Sequence, residues 1–441
     1  MTVKSALMDK FRDGCIGTFV PIGDASGVAG DWENGHIQLR ADGNVHVVTL
    51  DENSPRMGPD LRSDESGIAG FTEHGGILLP NVSARGSTSN FGGTKVSVLR
   101  YQGPSMVAGI DPEDLRSNRF TSAEAHFFGL DRWTGVSGIT SNVARKVSDG
   151  TAESVTLELK SAPEQRANLG SRVLYMSTHW EVGGSKDRPI VHAPLVVGVS
   201  VKRRRELHEL TGPLVRIQQL ISLAYGGFVT AAMGRVMPNL GSEQKMVPLW
   251  DKHLMWKADS MREPKSMTEV PLFSLATLGG LQTLSRWVRL GEAYGRAAGP
   301  VVAPFWSGTA AVESRLLEAC VGIEYWIAIN KVKKAGWAKH KDATKCRPLT
   351  LAKRVSSRFD EWVGDSEKWG VAVWEAYNLV KHDPTKQLDQ MRGHVLAESA
   401  RYLLFAALLD RVAGSKSGSW QIFDSHRLYN LGRAVRRELG T

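Results

Sequence analysis

The side-chain period changes once along this chain, and the change decides what it can fold into. Up to Lys202-Arg203-Arg204-Arg205 the apolar residues tend to alternate with polar ones. Beyond that cluster they recur every three or four positions. Alternation is the signature of strands and the longer period that of helices. The expectation is an α+β multidomain chain, with a β-rich half first and an all-helical half last.

Strand-like runs fall at residues 14–21, 35–40, 76–79, 94–99, 151–160, 172–180 and 195–202. Another, at 44–50, follows the Asp42-Gly43 turn signal. Gly, Ser and Asn separate the runs at short intervals, which predicts a sandwich or open barrel. Residues 116–133 read as a helical or irregular insertion. Lys202–Arg205 reads as a solvated edge segment or as a contact for nucleic acid. Pro213 sits near the expected start of an amphipathic helix carrying Leu214, Ile217, Leu220, Ile221 and Ala224. A mixed stretch runs to Lys265, and 281–298 is helical. Further helices are expected at 312–330, 349–362, 369–380, 391–412 and 420–439. Short loops between them favour an antiparallel bundle. The expected division is 1–205, 206–305 and 306–441.

With 42% apolar and 23% charged residues the chain is globular. A net charge of +9 suits a polyanionic partner, or simply a basic protein. No apolar run reaches the ~18 residues that a membrane span needs. The first twenty residues carry charges where a signal peptide needs an apolar core, so a cytoplasmic location is expected. Cys15, Cys320 and Cys346 are far apart and argue against a disulfide framework or a CxxC metal site. The histidines show no zinc spacing and no phosphate-binding loop is present, so neither metal nor cofactor is expected.

The residues best suited to chemistry are Tyr377-Asn378-Leu379-Val380-Lys381-His382-Asp383-Pro384. On a helix Asn378 and His382 share one face, while Lys381 points about 100° from His382. Pro384 disfavours helix at Asp383, which leaves His382 at a C-terminus whose negative dipole end favours a positive charge. An imidazole there suits proton transfer, and a neighbouring cation suits a charged phosphorane. The plainer reading is an ordinary basic helix ending. Arg433, Arg436 and Arg437, with Arg427, form a basic strip that either guides RNA or faces solvent. Trp133, Phe127 and Phe128 read as core, as do most of Trp326, Trp337, Trp362, Trp369 and Trp374. Cys320 reads as core, His394 as a structural histidine and His340 as loop.

The last 130 residues or so resemble the HEPN superfamily, whose ribonuclease motif is Arg, a polar residue, three to five others, then His. Asn378 and His382 match it, and Tyr377 stands where that motif has Arg. Residues 14–21 and 120–135 resemble the N-terminal domain of ApeA-type anti-phage proteins, and 214–224 is similar to the helix that follows it. The resemblance implies abortive infection: an RNase held quiet until a phage-derived trigger acts through the β-rich domain. It implies a homodimer or higher homo-oligomer, joined through the helical bundle, that cuts RNA, tRNA among the candidates, to 2′,3′-cyclic phosphate and 5′-hydroxyl ends. His382 would be the acid and base, and Asn378 would orient it or bind phosphate. Tyr377 leaves three accounts open. Lys381 supplies the charge; an Arg from elsewhere, such as Arg358 or Arg392, does; or the site is inactive and the bundle is a binding or regulatory module for RNA, a nucleotide or a phage protein.

Overall fold

The computed structural model describes residues 6–23, 27–28, 32–51, 65–89, 97–145, 152–185, 188–238, 245–264, 267, 270–306, 308, 310–339, 346–383 and 385–441. The chain forms two compact units. The first comprises Met1–Asp131, Val136–Gln218 and Thr230–Ala258; the second comprises Arg132–Gly135, Gln219–Val229 and Asp259–Thr441. A large antiparallel sheet occupies the first and helices the second, as the change of period predicts, except that the expected helical connection at 206–305 also supplies two inner strands, Ala231–Met237 and Val247–Asp251. Among the described residues no helix is long and apolar enough to cross a membrane.

Fifteen strands make one sheet among the described residues. Across it the order is Gln165–Leu169, Arg172–Thr178, Leu195–Glu206, Arg119–Phe127, Ala231–Met237, Val247–Asp251, Ser105–Ile110, Gly75–Pro80, Glu65–Thr72, Cys15–Gly23, Glu33–Leu39, Val45–Asp51, Ser97–Gly103 and Ser83–Ser89. Gly27–Val28 adds to Cys15–Gly23. Inward residues of the second half, among them Phe19, Ile37, Val47, Ile77 and Met106, share one core with Phe11 of helix Ala6–Asp13. That half therefore curls around a common interior, as an open barrel does.

The expected insertion at 116–133 is overturned. Arg119–Phe127 is an inner strand, followed by the short helix Leu130–Thr134. Both faces of its middle are buried, so apolar residues do not alternate cleanly there. The basic cluster also belongs to a strand, Leu195–Glu206. Arg204 departs from the solvated reading, because it is partly buried and donates to the Pro238 carbonyl. Pro213 lies inside helix Leu207–Tyr225, not near its start. A proline there cannot bond the carbonyl four residues back. That carbonyl belongs to Glu209, and it accepts instead from Arg172 Nη1 at 3.3 Å. The parts of the runs at 94–96 and 151, together with His340 and Pro384, lie outside the described residues.

Four strands carry one polar rung. Tyr175, Gly198, Glu124 and Arg235 lie opposite one another in register. Buried Glu124 accepts from the Tyr175 hydroxyl at 2.9 Å and from Arg235 Nε at 2.8 Å. Burial alone would raise the Glu124 carboxyl, but His179, Arg235 and Tyr175 outweigh it and hold the carboxyl below the usual range. Gly198 makes the rung possible: a Cβ there would lie 2.2 Å from Tyr175 Cζ. Gly198→Ala is expected to cost about 1–3 kcal/mol by overpacking, read as a lower denaturation midpoint. Combining it with Tyr175→Ala should return part of the loss that neither change returns alone.

In the helical unit, Gln390–Ala413 is central. Helices Leu281–Ala293, Gly295–Trp306, Val312–Val332, Arg347–Val355, Ser366–His382, Ser417–Phe423 and Tyr429–Leu439 pack on it. Three expected helices are broken, the last with a short 3-10 turn at His426–Leu428 between its parts. The breaks fall at Tyr294, at extended Ser356 and at Asp424–Ser425. Trp133, Trp287 and Trp369 are fully buried, Trp326 and Trp362 nearly so, and Cys320 is core. Phe405 meets Phe273 and Trp287 edge-on.

The central helix encloses an ion pair. Arg401 Nη2 donates to Glu398 Oε2 at 2.7 Å, and Nη1 to the Val301 carbonyl at 3.2 Å. Burial pushes the Glu398 carboxyl up, but Arg401, with His394 and Arg315 beside it, holds it below the usual carboxylate range. A depressed folded value means the pair's stabilisation is full above the ordinary Glu value of about 4.3. It is lost as pH falls through the folded value. Glu398→Gln should therefore flatten the acid side of the stability–pH profile. Glu398→Ala, which strands a buried guanidinium, should cost about 3–5 kcal/mol at neutral pH.

Candidate functional site

Helix Ser366–His382 begins where the Asp365 carboxylate accepts from the Glu367 and Lys368 amides at 3.0 and 2.9 Å. Its buried face carries Trp369, Gly370, Ala372, Val373, Ala376 and Tyr377, which is helical spacing. Trp369 Nε1 donates to Ser399 Oγ at 2.9 Å, and its ring meets Phe359 edge-on. At Gly370 a Cβ would lie 2.8 Å from Leu349 Cβ, so helix Arg347–Val355 packs closely against this one. The Asp383 amide donates to the Leu379 carbonyl, closing the last turn. Hydrogen bonds from Thr385 and Lys386 hold the Asp383 carboxyl below its usual range.

These constraints divide the four motif residues between two faces. Tyr377 is buried at 1% exposure. Its hydroxyl accepts from Lys381 Nζ at 3.2 Å, and the ammonium lies 5.1 Å from the ring centroid. The Trp374 ring lies beside it. One turn along, Asn378 is half-buried and His382 is exposed, four residues apart on a common face. Among the described residues neither side chain has a hydrogen-bond partner in the protein, so both are open to a ligand.

The five arginines expected to help are mostly engaged elsewhere. Arg358 Nη1 bonds Glu361 at 2.8 Å, and its Nε lies 3.5 Å from Asp424. Arg392 Nε is 3.6 Å from Glu438. Arg436 Nη1 donates to the Trp362 carbonyl at 2.8 Å, fastening Tyr429–Leu439 to Ser357–Val363. Arg433 stacks on Tyr429, and Arg437 is exposed. Among the described residues, none of the five has a hydrogen bond or ion pair to Tyr377, Asn378 or His382. Lys381 is the cation that the structure does bring to Tyr377. The i, i+4 spacing of Tyr377 and Lys381 carries that contact.

Sequence reasoning missed the Glu398–Arg401 pair, the Glu124 rung and a cavity of about 500 Å³ lined by Trp326, Trp337, Arg354, Asp410, Arg411 and Lys416. Only the pair had a local signal, Glu-x-x-Arg within an apolar helix; the others join residues far apart in sequence. Cys15, Glu73 and His74 place ligand-capable atoms within 4.8 Å of one another. Cys15 donates to the Lys10 carbonyl, and burial pushes its thiol up, away from the thiolate a metal prefers.

The family described as ApeA N-terminal domain 1 matches residues 30–287, more than half of the chain. No curated protein and no solved structure matches it. The matched region covers most of the sheet and continues into helix Leu281–Ala293. The chain thus belongs to the ApeA N-terminal domain 1 family, a family of anti-phage defence proteins.

Proposed function

We propose that the helical unit is a metal-independent RNA endonuclease of HEPN type, working in abortive infection, with the β-rich unit receiving a phage-derived trigger. The observation that carries the reading is the end of helix Ser366–His382. An exposed imidazole and an open amide share one face there, and an ammonium sits on the residue that takes the place of the motif's arginine. In this reading His382 removes the proton from a ribose 2′-hydroxyl. The 2′-oxygen attacks phosphorus, the bond to the 5′-oxygen breaks, and that oxygen takes up a proton. The products are a 2′,3′-cyclic phosphate and a 5′-hydroxyl. Asn378 holds the imidazole or a phosphate oxygen. Lys381 stabilises the phosphorane as a point charge. A second copy of the chain completes the cleft, and cytoplasmic RNA, tRNA included, is the substrate.

The test is RNA incubated with purified protein in EDTA, with the ends of the fragments identified. His382→Ala should lower the rate by about 10²–10⁴-fold, the usual contribution of a general acid–base. Because His382 is exposed, its melting temperature should stay unchanged. Lys381→Met should be slower, with partial recovery in Lys381→Arg. Equal cleavage by His382→Ala, or none under any activating condition, would sink the reading.

A second reading, a binding or regulatory module, is favoured by two observations. Tyr377 is a neutral, buried phenol, and the 500 Å³ cavity offers two indoles and a carboxylate to a nucleotide-sized ligand. Overproduction in bacteria separates the two readings. A nuclease should arrest growth through His382 and release it in His382→Ala, whereas a binding module should show no dependence on that imidazole.

A further inference from the structure

We infer that the sheet unit carries a nucleic-acid backbone site, in the groove where strand Leu195–Glu206 runs past the hairpin of Gln165–Leu169 and Arg172–Thr178. This site is distinct from His382 and does not rest on the nuclease reading.

The groove has a simple structural cause. The hairpin turns between Leu169 and Arg172, and Arg172 pairs with Val201. Pairing on that flank stops there, although the neighbouring strand continues to Glu206. The overhang and the turn enclose a cavity of about 780 Å³. Five cationic side chains line it: Arg166 and Arg172 from the hairpin, and Lys202, Arg203 and Arg205 from the overhang. No acidic residue is among its lining residues. Residues more than thirty positions apart thus place their charge on one concavity, which the run Lys202–Arg205 alone did not foretell.

Part of this charge is already matched. Arg166 Nε is 2.5 Å from Glu164, and Arg205 Nη1 is 3.6 Å from Glu209. Arg172 donates to the Glu209 backbone carbonyl at 3.3 Å. Lys202 and Arg203 are exposed and, among the described residues, have no acidic partner. The net positive charge favours a polyanion over a neutral peptide. No aromatic side chain lines the groove to stack a base. The occupant is therefore read through its phosphates, independent of sequence, whether it is RNA or DNA.

The test is fluorescence anisotropy of labelled 20-nucleotide single strands, one RNA and one DNA, titrated with the full-length protein at several KCl concentrations. Engaging three to five phosphates predicts a log–log salt slope of about −2 to −3.5. Lys202→Ala/Arg203→Ala should weaken binding at least tenfold in 0.1 M salt and make the slope shallower by about 1.4. Equal loss with both strands supports a backbone site, and loss confined to one identifies the nucleic acid it serves. The DNA strand lacks the 2′-hydroxyl that the cleavage chemistry requires, which keeps this result separate from the fate of the nuclease reading. The inference is overturned if neither strand binds at low salt. It is also overturned if the double variant keeps both affinity and slope while Arg433→Ala/Arg437→Ala loses them.

Discussion

The Glu398–Arg401 pair is the interaction on which the helical unit depends. Helix Gln390–Ala413 has neighbours on several sides, so a charge on it has little water to turn to. An isolated charge there would be prohibitive. Arg401 avoids that by turning both terminal nitrogens to acceptors inside the unit, Nη2 to Glu398 and Nη1 to the Val301 carbonyl, with the rings of Phe305 and Tyr402 beside the guanidinium. Those partners belong to the helix itself and to Gly295–Trp306, so the pair fixes how the two helices meet. Oil-like packing among Leu, Ala and Phe would tolerate several rotations of a helix that is apolar on most sides. A fork of directed hydrogen bonds tolerates few.

The same logic explains which parts of the fold were legible in the sequence. The strands with one wet face, such as Glu33–Leu39 and Val45–Asp51, were plain because burial alternates along them. Arg119–Phe127 was misread because its middle is dry on both faces, which erases the alternation that marks a strand. The long helices survived with small shifts of boundary, but the breaks at Tyr294 and Ser356 did not show: Gly295 marks the first only weakly within a helical pattern, and no proline or glycine marks the second. Pro213 misled in the opposite sense. A proline normally ends or opens a helix, but Arg172 supplies the bond that Pro213 withholds. A residue far away in sequence thus decides whether a local rule holds.

The candidate site was legible to the extent that it is local. Asn378 and His382 lie on one helix, so their common face follows from spacing alone. The partners of Arg358, Arg392 and Arg436 do not, because Asp424, Glu438 and the Trp362 carbonyl come from other helices or turns. Each of these arginines looks like spare charge in sequence and like a fastening in three dimensions. The groove at Lys202 and Arg203 shows the converse: a run that looks like ordinary solvated charge acquires company from Arg166 and Arg172 only when the hairpin is folded.

Position 377 then has a definite physical meaning. An arginine there would have to carry its guanidinium out of a site that is 1% exposed, along the path the phenol now fills. Tyrosine instead packs its ring in the core and presents only a hydroxyl, which Lys381 reaches one turn later. An ammonium has three donors, and the phenol takes one. Two remain, together with a full positive charge, on a long flexible stem restrained at its tip. What is lost relative to arginine is the rigid bidentate fork. Under the cleavage reading, the cost falls on orientation of the phosphate rather than on the presence of charge. Asn378, whose amide is open on the His382 face, is the residue placed to restore that orientation.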